Sequence, residues 1–405
     1  MFSSGTTGLP KCMVQGAGGV LLKHLSELQL LCDLKPGERV FFYSTTGWMM
    51  WNWVTSALGA GSTVVCYEGD PMHPTPHRLW EVAEHAQVHV FGASARYLSA
   101  QQSSGVVPKE VAALGNLRTI LSTGSPAAGN IFEYAKEKIG DHIQFGSMSG
   151  GTDLNGCFAG MVPTKAVLEG ELQGRCLGMD VRVYRTCSDL EAGADSAGAE
   201  AWVGEKGELV CAKAFPSMPL YFWDDEEGAK YHEAYFAEYP GKWRHGDFCE
   251  LTAAKGLVIH GRSDATLNPG GVRIGTADLY RVVEEDLSDV ASDAVVVGED
   301  FLLEDGTPDV RIVLFLKLRK PQNGPLDHEL VQRVKGLVRS RCSPRHVPAK
   351  VLACPDVPNT VNGKRVEIAV KKAILGEPVR NRAVLKNPGA LDFFREYGAA
   401  LRQQK

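Results

Sequence analysis

Hydrophobic positions along the chain recur with two periods and divide it into three stretches. Leu21, Leu22, Leu25, Leu28 and Leu31 repeat at helical spacing until Pro36-Gly37 interrupts them, and residues 39–44 then read as a strand. The alternation continues with a helix over 49–58, a strand over 63–67, a helix over 76–86 and a strand over 88–91. Beyond these come a strand over 117–121, a helix over 130–138 and a strand over 142–145. Strands and helices in alternation predict a parallel sheet with helices on its faces. From about 157 to 260 the pattern changes to short strands around glycines, which predicts a mainly antiparallel, barrel-like unit. Past Gly261 the pattern is that of a smaller α+β unit: a helix over 276–287, strands over 294–297 and 310–318, and a basic amphipathic helix over 326–341. Residues 188–200, rich in Ala, Gly, Asp and Glu, read as a solvent loop, and residues 383–405 as a loosely packed tail.

Composition narrows the class. The 405 residues suffice for two or three domains, and 44% hydrophobic with 22% charged residues is ordinary for a globular chain. With 43 Lys and Arg against 48 Asp and Glu, a net charge of −5 carries no nucleic-acid footprint. No apolar run reaches the roughly 18 residues a membrane span needs, and the start lacks the basic-then-apolar profile of a signal peptide. Ten cysteines without a C-x-x-C pair, mostly in apolar runs, predict reduced thiols in the cytosol.

The candidate chemistry sits where strands end. Phe2-Ser3-Ser4-Gly5-Thr6-Thr7-Gly8-Leu9-Pro10-Lys11 joins hydroxyls and glycines to a mobile cation, a composition suited to cradling a polyphosphate. Pro10 and Cys12 around Lys11 exclude the NTPase P-loop, which needs Gly before the Lys and Ser or Thr after it. Gly124-Ser125-Pro126 follows a predicted strand, and Gly146 to Asp153 follows the next. In the latter run Thr152 and Asp153 pair a hydroxyl with a carboxylate, both hard oxygen donors for Mg²⁺. Asp247 in Trp243-Arg244-His245-Gly246-Asp247 offers an acceptor pair for two ribose hydroxyls, and Gly261-Arg262-Ser263-Asp264 comes next. Taken singly, each is equally readable as a turn or a surface ion pair.

In this order and spacing, the motifs resemble those of the acyl-adenylate-forming (AMP-binding) superfamily. The resemblance implies an α/β fold with a parallel sheet, an attached β-barrel-like unit and a smaller C-terminal α+β lid domain. Residues 1–262 would form the adenylation core, incomplete at its N-terminus because the family carries a large segment upstream of the phosphate loop, and 265–405 the lid. It further implies ATP, Mg²⁺ and CoA as cofactors. Ser3, Ser4, Gly5, Thr6, Thr7, Gly8, Lys11 and Thr152 would meet the phosphates, and Gly124, Ser125 and Pro126 would line the adenine. Thr152 and Asp153 would serve the metal, Asp247 and Arg262 the ribose, and Asp264 the hinge. Gly271 and Arg273 would meet CoA, and Lys364, in Pro358-Asn359-Thr360-Val361-Asn362-Gly363-Lys364, the reacting carboxyl. Trp48, in Gly47-Trp48-Met49-Met50-Trp51-Asn52, with Gly150 and Gly151, would line an acyl pocket wider than an acetate pocket, because the bulky Trp residues expected before Thr152 are replaced by Ser149-Gly150-Gly151. This combination is similar to the acetoacetate-activating branch. The alternatives are a nucleotide-binding chain without turnover and a ligase for another short-chain acid.

Overall fold

The computed structural model describes residues 1–3, 11–186, 198–269, 272–303, 307–321, 324–361, 363–379 and 382–403. Five parallel strands form the first sheet in the order Thr63–Val65, Arg39–Phe42, Val90–Ser94, Thr119–Thr123, Gln144–Ser147. Successive residues of each strand point to opposite faces. Phe42, Val90 and Leu121 accordingly enter one buried cluster, whereas Phe41, Phe91 and Ile120 enter another on the opposite face. A sheet buried on both faces needs such near-continuous apolar runs, which is why these strands were readable.

Antiparallel strands follow. A four-stranded sheet runs Val181–Tyr184, Lys206–Cys211, Trp243–Leu251, Leu257–Arg262, and a smaller one contains Ser149–Gly151 and Gly156–Gly160. The last sheet joins Ala291–Leu302, Pro308–Leu318 and Lys350–Ala353, with Val296 and Leu314 facing one cluster and Val295 and Val313 the other. The mixed α/β class with its parallel sheet and antiparallel attachment thus matches the expectation. The interior of the predicted 188–200 loop lies outside the described residues.

The opening helix forms as expected, and it turns polar residues inward. The helix Ala17–Leu25, continued through a wide turn over Ser26–Leu31, exposes Leu21, Leu22 and Leu30 and buries Lys23, His24 and Glu27 beside Leu28 and Leu31. The desolvation of these polar residues is offset because each is partnered: Lys23 Nζ lies 2.6 Å from Glu27 Oε1, and Glu27 also accepts from Trp53 Nε1 at 2.7 Å and Cys157 N at 2.8 Å. His24 Nε2 meets Asn155 O at 2.6 Å. The segment read as a loose tail instead contains the helix Ala390–Gln403, whose Leu391 and Phe394 are fully buried against Phe315 and its neighbours.

Candidate active site

The Ser149–Gly151 and Gly156–Gly160 strands form a hairpin whose connection carries Thr152 and Asp153. At Gly150 the two strands approach so closely that a Cβ would lie 2.0 Å from Gly156 O, which only glycine tolerates. Asp153 Oδ1 receives Lys11 Nζ at 3.0 Å and the Tyr235 hydroxyl. Burial alone would raise the Asp153 pKa, but Lys11 and Tyr235 outweigh it and hold the carboxyl below its ordinary range. Lys11 also lies over the Tyr235 ring at 4.7 Å, and Tyr235 stacks on Trp243 at 3.6 Å between ring centroids.

Asp247 and Arg262 are cross-strand partners in the four-stranded sheet, and Arg262 Nη1 donates to Asp247 Oδ1 at 3.1 Å. His245 Nε2 lies 3.5 Å from Asp247 Oδ2 and packs edge-on against Phe158. Burial depresses the His245 pKa, so its ring is neutral at pH 7. Asp264 follows in the short Ser263–Ala265 turn that links this sheet to the C-terminal segment, with its Oδ1 3.7 Å from Arg262 Nε.

Lys364 closes the site from the far end of the sequence. Its backbone is fixed to Thr360 by bonds of 2.8 and 3.0 Å, and its amine reaches the surroundings of Arg262, Asp247 and Asp153. Burial and the Arg262 charge lower its pKa, with the two carboxylates opposing them.

Lys11, Asp153, His245, Asp247, Arg262, Asp264 and Lys364 border one cavity of 1420 Å³. Of the expected site residues, the cavity brings together Ser3, Lys11, Trp48, Gly124, Ser125 and Pro126. Gly150, Gly151, Thr152, Asp153, Asp247, Arg262, Asp264 and Lys364 complete its lining. Arg273 is not among them: it donates to Thr266 Oγ1 at 2.9 Å and Ser263 O at 3.0 Å and lies over the Phe248 ring. Ser4, Gly5, Thr6, Thr7, Gly8 and Gly271 lie outside the described residues. Gly150 contributes backbone only, because a side chain there would strike Gly156 and Cys157 rather than fill the cavity. His245 and Tyr235 were missed as site residues. His245 is two residues before Asp247 on one strand, and across the bulge at Gly246, whose φ is 85°, the two side chains lie 3.5 Å apart. Tyr235 lies on a helix, Ala229–Tyr235, that the pattern did not reveal.

A parallel α/β sheet, an antiparallel attachment and a phosphate-type cavity closed by a distant lysine define an adenylate-forming architecture. Residues 1–221 match the family described as AMP-binding enzyme, and the chain belongs to that family. It is 47% identical over 394 residues to the acetoacetyl-coenzyme A synthetase of Rhizobium meliloti (strain 1021), covering 97% of this chain and 58% of that protein. The acetoacetyl-CoA synthetase of Gallus gallus is 42% identical, with 97% of this chain and 56% of that protein covered. Among solved structures, acetoacetyl-CoA synthetase from Streptomyces lividans superposes with a TM-score of 0.87 at 39% identity, covering 100% of this chain and 59% of that one. The chain thus spans little more than half the length of these relatives. At 16% identity, ATP-bound MatB from Rhodopseudomonas palustris, with a TM-score of 0.73, 92% of this chain and 67% of that chain covered, shares the fold.

Proposed function

We propose that the chain carries the nucleotide and acyl-transfer site of an acid–thiol ligase that activates acetoacetate with ATP and passes the acyl group to CoA. The observation that carries this reading is the meeting of Lys11 and Lys364, 353 positions apart in the sequence, around Thr152, Asp153, Asp247 and Arg262 in one cavity. The named relatives, acetoacetyl-CoA synthetases, support the substrate.

In the first step a carboxylate oxygen of acetoacetate attacks the α-phosphorus of ATP, and the bond to the bridging oxygen breaks, releasing pyrophosphate. Lys11 and Lys364 neutralise charge on the phosphates and the attacking carboxylate, and catalysis is mainly positioning and electrostatics. The hydroxyl of Thr152 and the carboxylate of Asp153, both hard oxygen donors, would hold Mg²⁺; both bonds to Asp153 fall on Oδ1. Bound there, Mg²⁺ would supply further charge neutralisation on the phosphates. Asp247 accepts the ribose hydroxyls, held in place by Arg262 and His245.

In the second step the CoA thiolate attacks the acyl carbon and AMP leaves. We assign residues 1–262 to an adenylation core and 265–405 to a lid that turns about Asp264, withdrawing Lys364 and bringing Gly271 and Arg273 to CoA. In the present arrangement Lys364 faces the cavity and Arg273 does not, as the first step requires. The nine described cysteines are free, which suits a reducing compartment such as the cytosol, and among the described residues no helix is long and apolar enough to cross a membrane. Acid-dependent ATP–pyrophosphate exchange with acetoacetate, 3-hydroxybutyrate and acetate tests the reading: acetoacetate should support the fastest exchange, and a preference for acetate would overturn the substrate.

A further inference from the structure

Two steps in one site require Lys364 inside the cavity for the first and outside it for the second. Whatever ties its turn to the core therefore sets the balance between them. We propose that Arg96 is a positioning residue for the adenylation step, clamping the turn that delivers Lys364. This rests on the functional reading above.

Arg96 projects from the helix Ala95–Ser103, whose first turn is fixed by Ser94 Oγ accepting from Tyr97 N at 3.2 Å. Its guanidinium reaches three points at once on the C-terminal segment. Nη1 donates to Asn359 Oδ1 at 2.7 Å and to Gly363 O at 3.5 Å, and Nη2 to Asp293 Oδ2 at 2.8 Å. Gly363 immediately precedes Lys364, and a Cβ there would stand 2.9 Å from Arg96 Cδ, so the turn rests on the arginine stem itself. A planar fork suits this task, because the contacts are divided between two rigidly spaced nitrogens where a lysine offers a single ammonium.

The clamp is also built to release. Asp293 is buried, yet Arg365 Nε donates to its Oδ1 at 3.1 Å, and Asn359 Nδ2 to its Oδ2 at 3.1 Å, from within the C-terminal segment. Withdrawal of Arg96 leaves that carboxylate paired. The arginine side chain is 44% exposed and returns to water at little cost. Among the described residues, the other hydrogen bonds and ion pairs between the two parts, such as Gly129 N to Glu285 Oε1 at 2.8 Å, do not touch the Lys364 turn.

The test measures the two half-reactions separately in Arg96→Ala and Arg96→Lys. Acetoacetate-dependent ATP–pyrophosphate exchange should fall about tenfold in Arg96→Ala, the loss of one partly exposed charged clamp, and less in Arg96→Lys. Thioester formation from supplied acetoacetyl-AMP and CoA should be unchanged. In parallel, amide hydrogen exchange of a peptide spanning 357–368 is followed in the free protein; it should speed up in Arg96→Ala and not in Arg395→Ala, which loses only an ion pair with Asp392 elsewhere. Equal loss in both half-reactions, or unaltered amide exchange, overturns the role of Arg96. If the unmodified chain shows no pyrophosphate exchange, the functional reading fails, and the amide exchange still decides whether Arg96 holds the turn.

Discussion

Lys11 and Asp153 form an ion pair of 3.0 Å across 142 positions of sequence, and the Tyr235 hydroxyl donates to the same carboxylate oxygen. Lys11 and the hairpin bearing Thr152 are thereby joined. The carboxyl is held below its ordinary pKa, so the contribution of its partners is present above roughly pH 3.9 and is lost as pH falls through the depressed value. Tyr235→Phe should cost about 1–3 kcal/mol at pH 7 in urea unfolding, the worth of a hydrogen bond to a charged group. The difference from the parent chain should shrink in acid; one that grows in acid contradicts the assignment.

On the proposed mechanism Lys364 acts in one step only. Lys364→Ala should lower acetoacetate-dependent pyrophosphate exchange by about 10²- to 10³-fold, the scale of removing one preorganised charge-stabilising group. Conversion of supplied acetoacetyl-AMP to thioester should persist. Equal loss in both assays would remove Lys364 from its assigned role.

The two parts of the chain also meet at Asp278, whose Oδ1 lies 3.2 Å from His260 Nδ1 and 2.9 Å from Arg281 Nη2, and whose Oδ2 lies 3.2 Å from Lys206 Nζ and 3.6 Å from His346 Nε2. Burial opposes charge on His260, but Asp278 and Glu250 outweigh it and raise its pKa; burial likewise opposes charge on Asp278, and His260 and His346 hold its carboxyl well below the ordinary range. The histidine contribution is complete below roughly pH 6.5 and fades as pH rises through the raised value, whereas the carboxylate contribution is complete above roughly pH 3.9. The contact is therefore strongest between those limits. Thermal unfolding of the parent chain and His260→Gln should differ most near pH 5.5 and least at alkaline pH; a difference independent of pH contradicts the pairing.

Two glycines separate close approach from helix propensity. Gly150→Ala drives a Cβ into the Gly156 carbonyl and should destabilise by about 1–3 kcal/mol. Gly18, within the helix Ala17–Leu25, has nothing within 4 Å of its Cβ position, and Gly18→Ala should stabilise by about 0.5–1 kcal/mol. Circular-dichroism melts of both decide, and equal effects would refute the distinction.

The parallel sheet was readable because its strands are short apolar runs ended by Gly and hydroxyl residues, and those ends are where site residues stand. Ala95–Ser103 escaped notice because Arg96, Gln101 and Gln102 interrupt its apolar spacing. Which face of the 17–31 helix turns inward is not legible locally, because the partners that make Lys23 and Glu27 tolerable inside, Trp53 and Cys157, lie far along the chain. The same distance hid Tyr235 and Arg96, whose bonds to Asp153 and Asn359 span 82 and 263 positions. Local pattern reports which residues are capable of chemistry, and only the fold reports which of them meet.

The most direct test of the central claim is the acetoacetate-dependent exchange of labelled pyrophosphate into ATP by this chain. The account predicts exchange that requires Mg²⁺, exceeds that with acetate and 3-hydroxybutyrate, and falls about 10²- to 10³-fold in Lys364→Ala. Exchange supported equally by all three acids, or retained in full by Lys364→Ala, would contradict it.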